Sequence, residues 1–156
     1  TWPSRAGLPA ARAGMAGGGL TGGIVGAGGE AEESMLGSEC FRYDPASDHW
    51  SVIGSLATPR SGVACAVLGD RLWVIGGSNG TPSAAVEGFD AAAGSRGGGP
   101  SPPAPLGQGA ATTVTGSVWG GGRPPRPHPP LHPSSPARPP CSIDTFVQSP
   151  PAWLRG

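Results

Sequence analysis

The side chains best suited to chemistry in this 156-residue chain are three histidines, three cysteines and a set of arginines. Metal capture would need several histidines or cysteines to converge at ligand spacing. His49 instead stands alone between Asp44 and Trp50, and His128, His132 and Cys141 lie in a proline-rich stretch without a zinc pattern. Cys40, Cys65 and Cys141 are odd in number and show no pairing pattern, which points to free thiols and a reducing, cytoplasmic setting. Cys65, between alanines, is read as a small core residue. The run from Ile24 to Ala31 fits G-x-G-x-x-A, the pyrophosphate loop of dinucleotide folds. A helix starting at Glu30 would set Glu30, Glu32 and Glu33 where the pyrophosphate belongs, and no second parallel strand follows. These residues therefore indicate no catalysis, no metal and no cofactor.

The elements around them explain the same residues better. Arg60 to Gly77 reads as a β-hairpin in which Val63, Cys65 and Val67 alternate with small residues, opposite the bulkier run Leu72-Trp73-Val74-Ile75. Gly69-Asp70 forms the two-residue turn, and Gly76-Gly77 ends the second arm. A shift of 48 residues carries Arg12 onto Arg60, Gly14 onto Gly62 and Gly28-Gly29 onto Gly76-Gly77. The same shift carries Trp2 onto Trp50, Glu39 onto Glu87 and Phe41 onto Phe89. A β-rich repeat of this period indicates propeller blades.

Within residues 38–90 the order Tyr43-Asp44-Pro45, Trp50, Pro59-Arg60-Ser61-Gly62, hairpin, Gly76-Gly77 resembles Kelch repeats. The likeness is weaker over 2–37. It implies an all-β chain: a partial Kelch-type β-propeller of about two four-stranded blades, residues 2–49 and 50–97. The Asp90 turn lacks the tryptophan of the pattern, because Arg96 stands there, so the fourth strand of the second blade is in doubt.

The resemblance also distributes roles. Gly28, Gly29, Asp44, Gly62, Gly76 and Gly77 are structural signature positions, and Tyr43 and Trp50 pack between blades. Partner binding falls to loops at one rim, here 54–61 and 78–83, with 30–37 in the earlier unit. Arg60 is the sharpest candidate, since a guanidinium at that position can hold an acidic peptide through a bidentate pair. Its competing role is to brace a neighbouring loop, and the same choice applies to Arg12. Ser61, Ser78 and Asn79 are further polar candidates. The implied function is the substrate-recognition part of a Kelch-like (BTB-Kelch) adaptor for cullin-RING ubiquitin ligases, with the BTB domain absent from this sequence. Alternatives are an actin-binding Kelch protein, a piece of a Kelch-propeller oxidase or epimerase, and a truncated product without function.

Composition sets the remaining bounds. Every basic residue is arginine, and 29 glycines and 20 prolines indicate a bias that discounts isolated glycine motifs. Formal net charge is zero with no basic cluster, which argues against a nucleic-acid surface. No apolar run is long enough to span a membrane as a helix. Residues 98–156, rich in Pro, Gly and Arg, are expected to be disordered, with 109–122 retaining the trace of a third hairpin. Residues 133–138, Pro-Ser-Ser-Pro-Ala-Arg, fit a polyproline ligand of SH3-type domains.

Overall fold

A computed structural model describes residues 3–114, 116–123 and 144–148, the last as backbone. The sequence-predicted Trp2, His128, His132, Cys141 and the 133–138 motif lie outside the described residues. The described chain is built from antiparallel strands, with one short 3₁₀ turn at Glu32–Ser34. The first sheet joins β1 (Ala16–Leu20), β2 (Gly23–Ala27), β3 (Glu39–Asp44) and β4 (His49–Ser55) in sequence order. The second repeats that order with β5 (Ala64–Leu68), β6 (Arg71–Ile75), β7 (Val86–Asp90) and β8 (Ser95–Gly98). A third contains β9 (Gln108–Val114), β10 (Ser117–Arg123) and β11 (Asp144–Gln148).

Two of these strands differ from the sequence reading. The fourth strand of the second blade forms despite lacking tryptophan, because Ser95 and Arg96 still pair with Asp90 and Phe89. The 109–122 trace is a full hairpin. Ala64 opposite Ile75 in the second sheet is matched by Ala110 opposite Gly121 in the third, 46 residues on. The strand content thus continues past residue 97, where glycine and proline had masked the period-2 pattern.

The 48-residue shift holds through the first two strands, since Ala16 opposite Ala27 corresponds to Ala64 opposite Ile75. It fails at the third. Ile24 pairs with Tyr43 whereas Leu72 pairs with Phe89, so Tyr43 and not Phe41 is the counterpart of Phe89. The first unit carries two extra residues between its second and third strands, and its third strand has a bulge at Cys40/Phe41.

Strand β6 shows how the sheets stack. Successive side chains point to opposite faces, so Leu72 and Val74 join one core with Val25, Ala27, Cys40 and Phe89. Trp73 and Ile75 face the other way, into a core with Val86, Leu106 and Val118. An uninterrupted apolar run is what a strand covered on both faces requires. Each fully buried aliphatic side chain there contributes about 1.5–3 kcal/mol.

Tyr43 and Trp50 are cross-strand partners on the outer face of the first sheet, ring centroids 5.1 Å apart, and Tyr43 holds the place that Phe89 takes at the junction of the first two sheets. The Tyr43 hydroxyl donates to Asp48 Oδ1 at 2.5 Å, and Trp50 Nε1 donates to the Ala6 carbonyl at 3.0 Å. Asp44 closes the same turn by accepting from Ser47 Oγ and the Ala46 amide. Asp90 does likewise with the Ala92 and Ala93 amides.

Two diglycines end the second strands with positive φ, 70° and 92° at Gly28 and Gly29, 65° and 89° at Gly76 and Gly77. A Cβ on Gly77 would lie 2.5 Å from Val63 Cγ1 and 2.9 Å from the Ser61 carbonyl. Gly77→Ala is expected to cost more than about 2 kcal/mol in urea unfolding. Gly98→Ala, where a Cβ meets nothing within 4 Å, should stay within about 0.5 kcal/mol. Equal losses would contradict this geometry.

The turn carboxylates give a pH prediction. The Tyr43 hydroxyl, chiefly, holds Asp48 below its usual range. A carboxyl lowered on folding adds stability that is present above its unfolded value, near 3.9. That stability is lost as pH falls through the lower folded value. The Trp50 indole signal should therefore shift on acid titration below the ordinary aspartate range, and Asp48→Asn should remove that step. An unchanged titration in the variant would contradict the assignment.

Candidate functional site

The loops that enter first strands and those that leave second strands meet at one rim. Ser61 and Ser78 exchange backbone hydrogen bonds at 3.0 and 2.8 Å, and the Gly62 amide donates to the Gly14 carbonyl at 2.9 Å. The Gly29 amide donates to the Arg60 carbonyl at 2.9 Å, and Gly77 repeats the bond with Leu106 at 2.8 Å. Ala13 is bridged to Glu30, and Ser83 to Leu106. Each blade's diglycine therefore grips the entry loop of the following blade. The small Cβ-free residues allow that approach, since a Cβ on Gly28 would sit 2.7 Å from the Arg60 carbonyl.

Arg60 lies at the centre of this stitching, 1% exposed. Its Nη2 is 2.7 Å from Glu87 Oε1 on β7, and the other carboxylate oxygen of Glu87 accepts from the Ala57 amide at 2.8 Å. The ion contact lies off the hydrogen-bond direction, and among the described residues Arg60 Nε has no hydrogen-bond acceptor. Arg60 thus braces the entry loop against its own blade. It does not present a guanidinium to an acidic ligand, because burial beside Glu87 has consumed the charge. Arg12 repeats the arrangement on Glu39 at 2.7 Å, at the more open surface where Glu39 is 43% exposed.

The other sequence-predicted residues are divided by their surroundings. Ser61 is half-buried, and its hydroxyl donates weakly to Glu30 at 3.5 Å. The Ser78 hydroxyl accepts from the Gly80 amide at 3.3 Å. Asn79 is exposed at the loop tip. Gly28, Gly29, Gly62, Gly76 and Gly77 belong to the stitching, while Tyr43, Asp44 and Trp50 sit at the distant β3–β4 turn. Glu30 does not start a helix; the 3₁₀ turn at Glu32–Ser34 leaves Glu32, Glu33 and Met35 exposed, Met35 by 65%.

Glu39 and Glu87 were missed as partners, although the sequence carried their signal. Arg12 to Glu39 and Arg60 to Glu87 are the same distance apart, and an opposite charge recurring with each arginine marks a pair. The structure adds that these glutamates are not register equivalents: Phe41 occupies the Glu87 position, and Glu39 serves from two residues earlier. In the third unit Leu106 takes the place of Arg60 and is buried.

Neither thiol is prepared for reaction. Burial, ahead of the nearby Glu87 carboxylate, pushes Cys40 up to about 12. Cys65 is also raised by burial, and its Sγ donates to the Gly17 carbonyl. Among the described residues no group of three or more His, Cys, Asp or Glu is placed to hold a metal, and no helix is long and apolar enough to cross a membrane.

Comparisons with known proteins agree with this architecture. The Kelch motif family matches residues 59–92. The influenza virus NS1A-binding protein homolog of Mus musculus is 44% identical over 71 residues, 45% of this chain and 11% of that protein. Kelch-like protein 4 of Homo sapiens is 48% identical over 56 residues, 35% of this chain and 8% of that protein. The chain therefore spans about a tenth of these relatives' length. The solved structure of YjhT, a Kelch propeller, superposes with a TM-score of 0.68 over 79% of this chain and 48% of its own, at 13% identity. That likeness shows the fold.

The ion pairs yield a graded prediction. Arg60→Met leaves Glu87 buried without its partner and should cost about 3–5 kcal/mol in urea unfolding. Arg12→Met, at a partly exposed pair, should cost less than about 1 kcal/mol from lost charge pairing. Equal small effects would show that Arg60 is not a brace.

Proposed function

We propose that this Kelch-repeat chain of the Kelch-like family is a protein-binding module that holds a segment of a partner across its stitched rim. We infer further that it serves as the substrate-recognition part of a cytoplasmic cullin-RING ubiquitin ligase adaptor. The observation that carries the binding role is the convergence of five loop segments on one rim, fixed by backbone hydrogen bonds between successive blades. Loops already ordered before binding lose less conformational freedom when a ligand arrives. The names of the matched relatives favour protein binding: one is itself named for binding a protein, another as Kelch-like.

The chemistry of the rim specifies the partner's character. Arg12 and Arg60 are already paired with carboxylates. The charged side chains left outermost on the 30–37 loop are Glu32 and Glu33, beside exposed Met35. A segment with basic residues flanking an apolar one complements this surface, in place of the acidic peptide expected from Arg60. The ligase role rests on the resemblance to BTB-Kelch adaptors, in which a BTB domain makes the cullin contact.

Selection of a displayed peptide library on the full chain should enrich basic sequences. The double substitution Glu32→Lys/Glu33→Lys should weaken their binding at least about tenfold, the scale of a lost hot-spot contact. Enrichment of acidic peptides, or binding indifferent to these substitutions, would contradict the rim assignment. Immunoprecipitation of the parent protein should recover a cullin. No cullin, together with a parent transcript lacking a BTB-type region, would remove the adaptor role and leave the binding role standing.

A further inference from the structure

The single asparagine of the chain, Asn79, stands exposed at the tip of the 78–83 loop and is followed by glycine. Asparagine is thermolabile, because the backbone nitrogen of the next residue can attack its side-chain carbonyl carbon. A side chain on that next residue normally hinders the approach. Gly80 has none, and where its Cβ would lie nothing stands within 4 Å. Its φ of 105° is a conformation that glycine takes and side chains resist.

Neither reacting group is bonded to the backbone. The Asn79 side-chain amide makes no hydrogen bond among the described residues. The Gly80 amide donates only to Ser78 Oγ at 3.3 Å, a long bond to a side chain that can rotate. The base of the loop is fixed instead. Ser78 exchanges backbone hydrogen bonds with Ser61 and is bridged to Pro82, and the Ser83 amide donates to the Gly77 carbonyl at 2.9 Å. A covalent change at the tip therefore leaves the sheets in place. Ser61 also ties this loop to the 30–37 loop, since its hydroxyl donates to Glu30.

We propose that Asn79 is a self-modification site of the folded chain, where deamidation adds a carboxylate to the rim and strengthens its hold on basic segments. The Gly80 nitrogen bonds to Asn79 Cγ, the Cγ–Nδ2 bond breaks, and the proton of the attacking nitrogen leaves with ammonia. Water then opens the cyclic imide, at Cγ to give aspartate or at the main-chain carbonyl carbon to give isoaspartate. The new charge joins a rim whose Arg12 and Arg60 are already paired, on a chain of zero formal net charge. The direction of the binding effect rests on the proposed reading of the rim; the chemistry at Asn79 does not.

The full chain, purified cold, is aged in neutral to mildly alkaline buffer and digested with trypsin, which cuts after Arg71 and Arg96. Mass spectrometry of the peptide between them should show asparagine replaced by aspartate and isoaspartate, the latter labelled by an isoaspartyl methyltransferase. Far-UV circular dichroism should keep the strand signal throughout. Persistence of Asn79 in the folded chain, or conversion in urea alone, overturns the proposal. Aged chain should bind basic peptides about twofold to fivefold more tightly than fresh chain, the scale of one exposed ion pair. Asn79→Gln should show no gain with age. Equal, measurable binding by fresh and aged chain also overturns the proposal. Failure of both to bind basic peptides removes the rim reading instead, and the peptide mass still decides the modification.

Discussion

Arg60 engages both complete blades at once. Its amide donates to Gly37 and its carbonyl accepts from Gly29, both of the first blade, while its guanidinium contacts Glu87 of the second. Three different groups of one residue thus engage both sides of a junction. A buried pair of this kind need not add much net stability over an apolar replacement, but loss of one partner leaves a stranded charge. Its value here is positional: it sets the entry loop at one height against β7. Gly77 can then repeat on Leu106 the grip that Gly29 has on Arg60, although the third unit dispenses with the charge.

That positional role changes the functional reading of the rim. An arginine at the Pro-Arg-Ser-Gly position suggests an anion receptor as long as its surroundings are unknown. Burial beside a carboxylate converts the same residue into scaffold. Under the proposed binding role, recognition would fall to side chains on the loops that the scaffold holds, above all the longer loop of the first unit. The two residues that separate a 48-residue shift from a 46-residue shift fall in that loop. They lie with the 3₁₀ turn region bearing Glu32, Glu33 and Met35, ahead of the strand that bulges at Cys40/Phe41. Function varies in the loop while packing is kept in the sheet.

Much of the fold was legible because hairpins impose strict local chemistry. Gly69 and Asp70 both adopt positive φ, as a primed two-residue turn requires, and the apolar run after them announces a strand buried on both faces. The third hairpin was harder to read because Gly120, Gly121 and Gly122 stand where Val74, Ile75 and Gly76 stand in the second, leaving Val118 and Trp119 as the apolar signal. The ungapped repeat misaligned Phe41 with Phe89 because phenylalanine recurs at the expected shift while the loop before it carries two extra residues. Burial of Arg60 was not legible from residue type, since it depends on which carboxylate the next strand brings across.

Amide hydrogen exchange at the rim glycines tests the central claim, that each diglycine locks the entry loop of the next blade. The Gly29 and Gly77 amides donate to Arg60 and Leu106 across blade junctions, outside any regular strand pair. The account predicts that they open only with the sheets, with protection matching that of the buried β6 amides Leu72 to Ile75. Exchange at the rate of free loop amides, while β6 stays protected, would mean that the blades stand side by side without the lock.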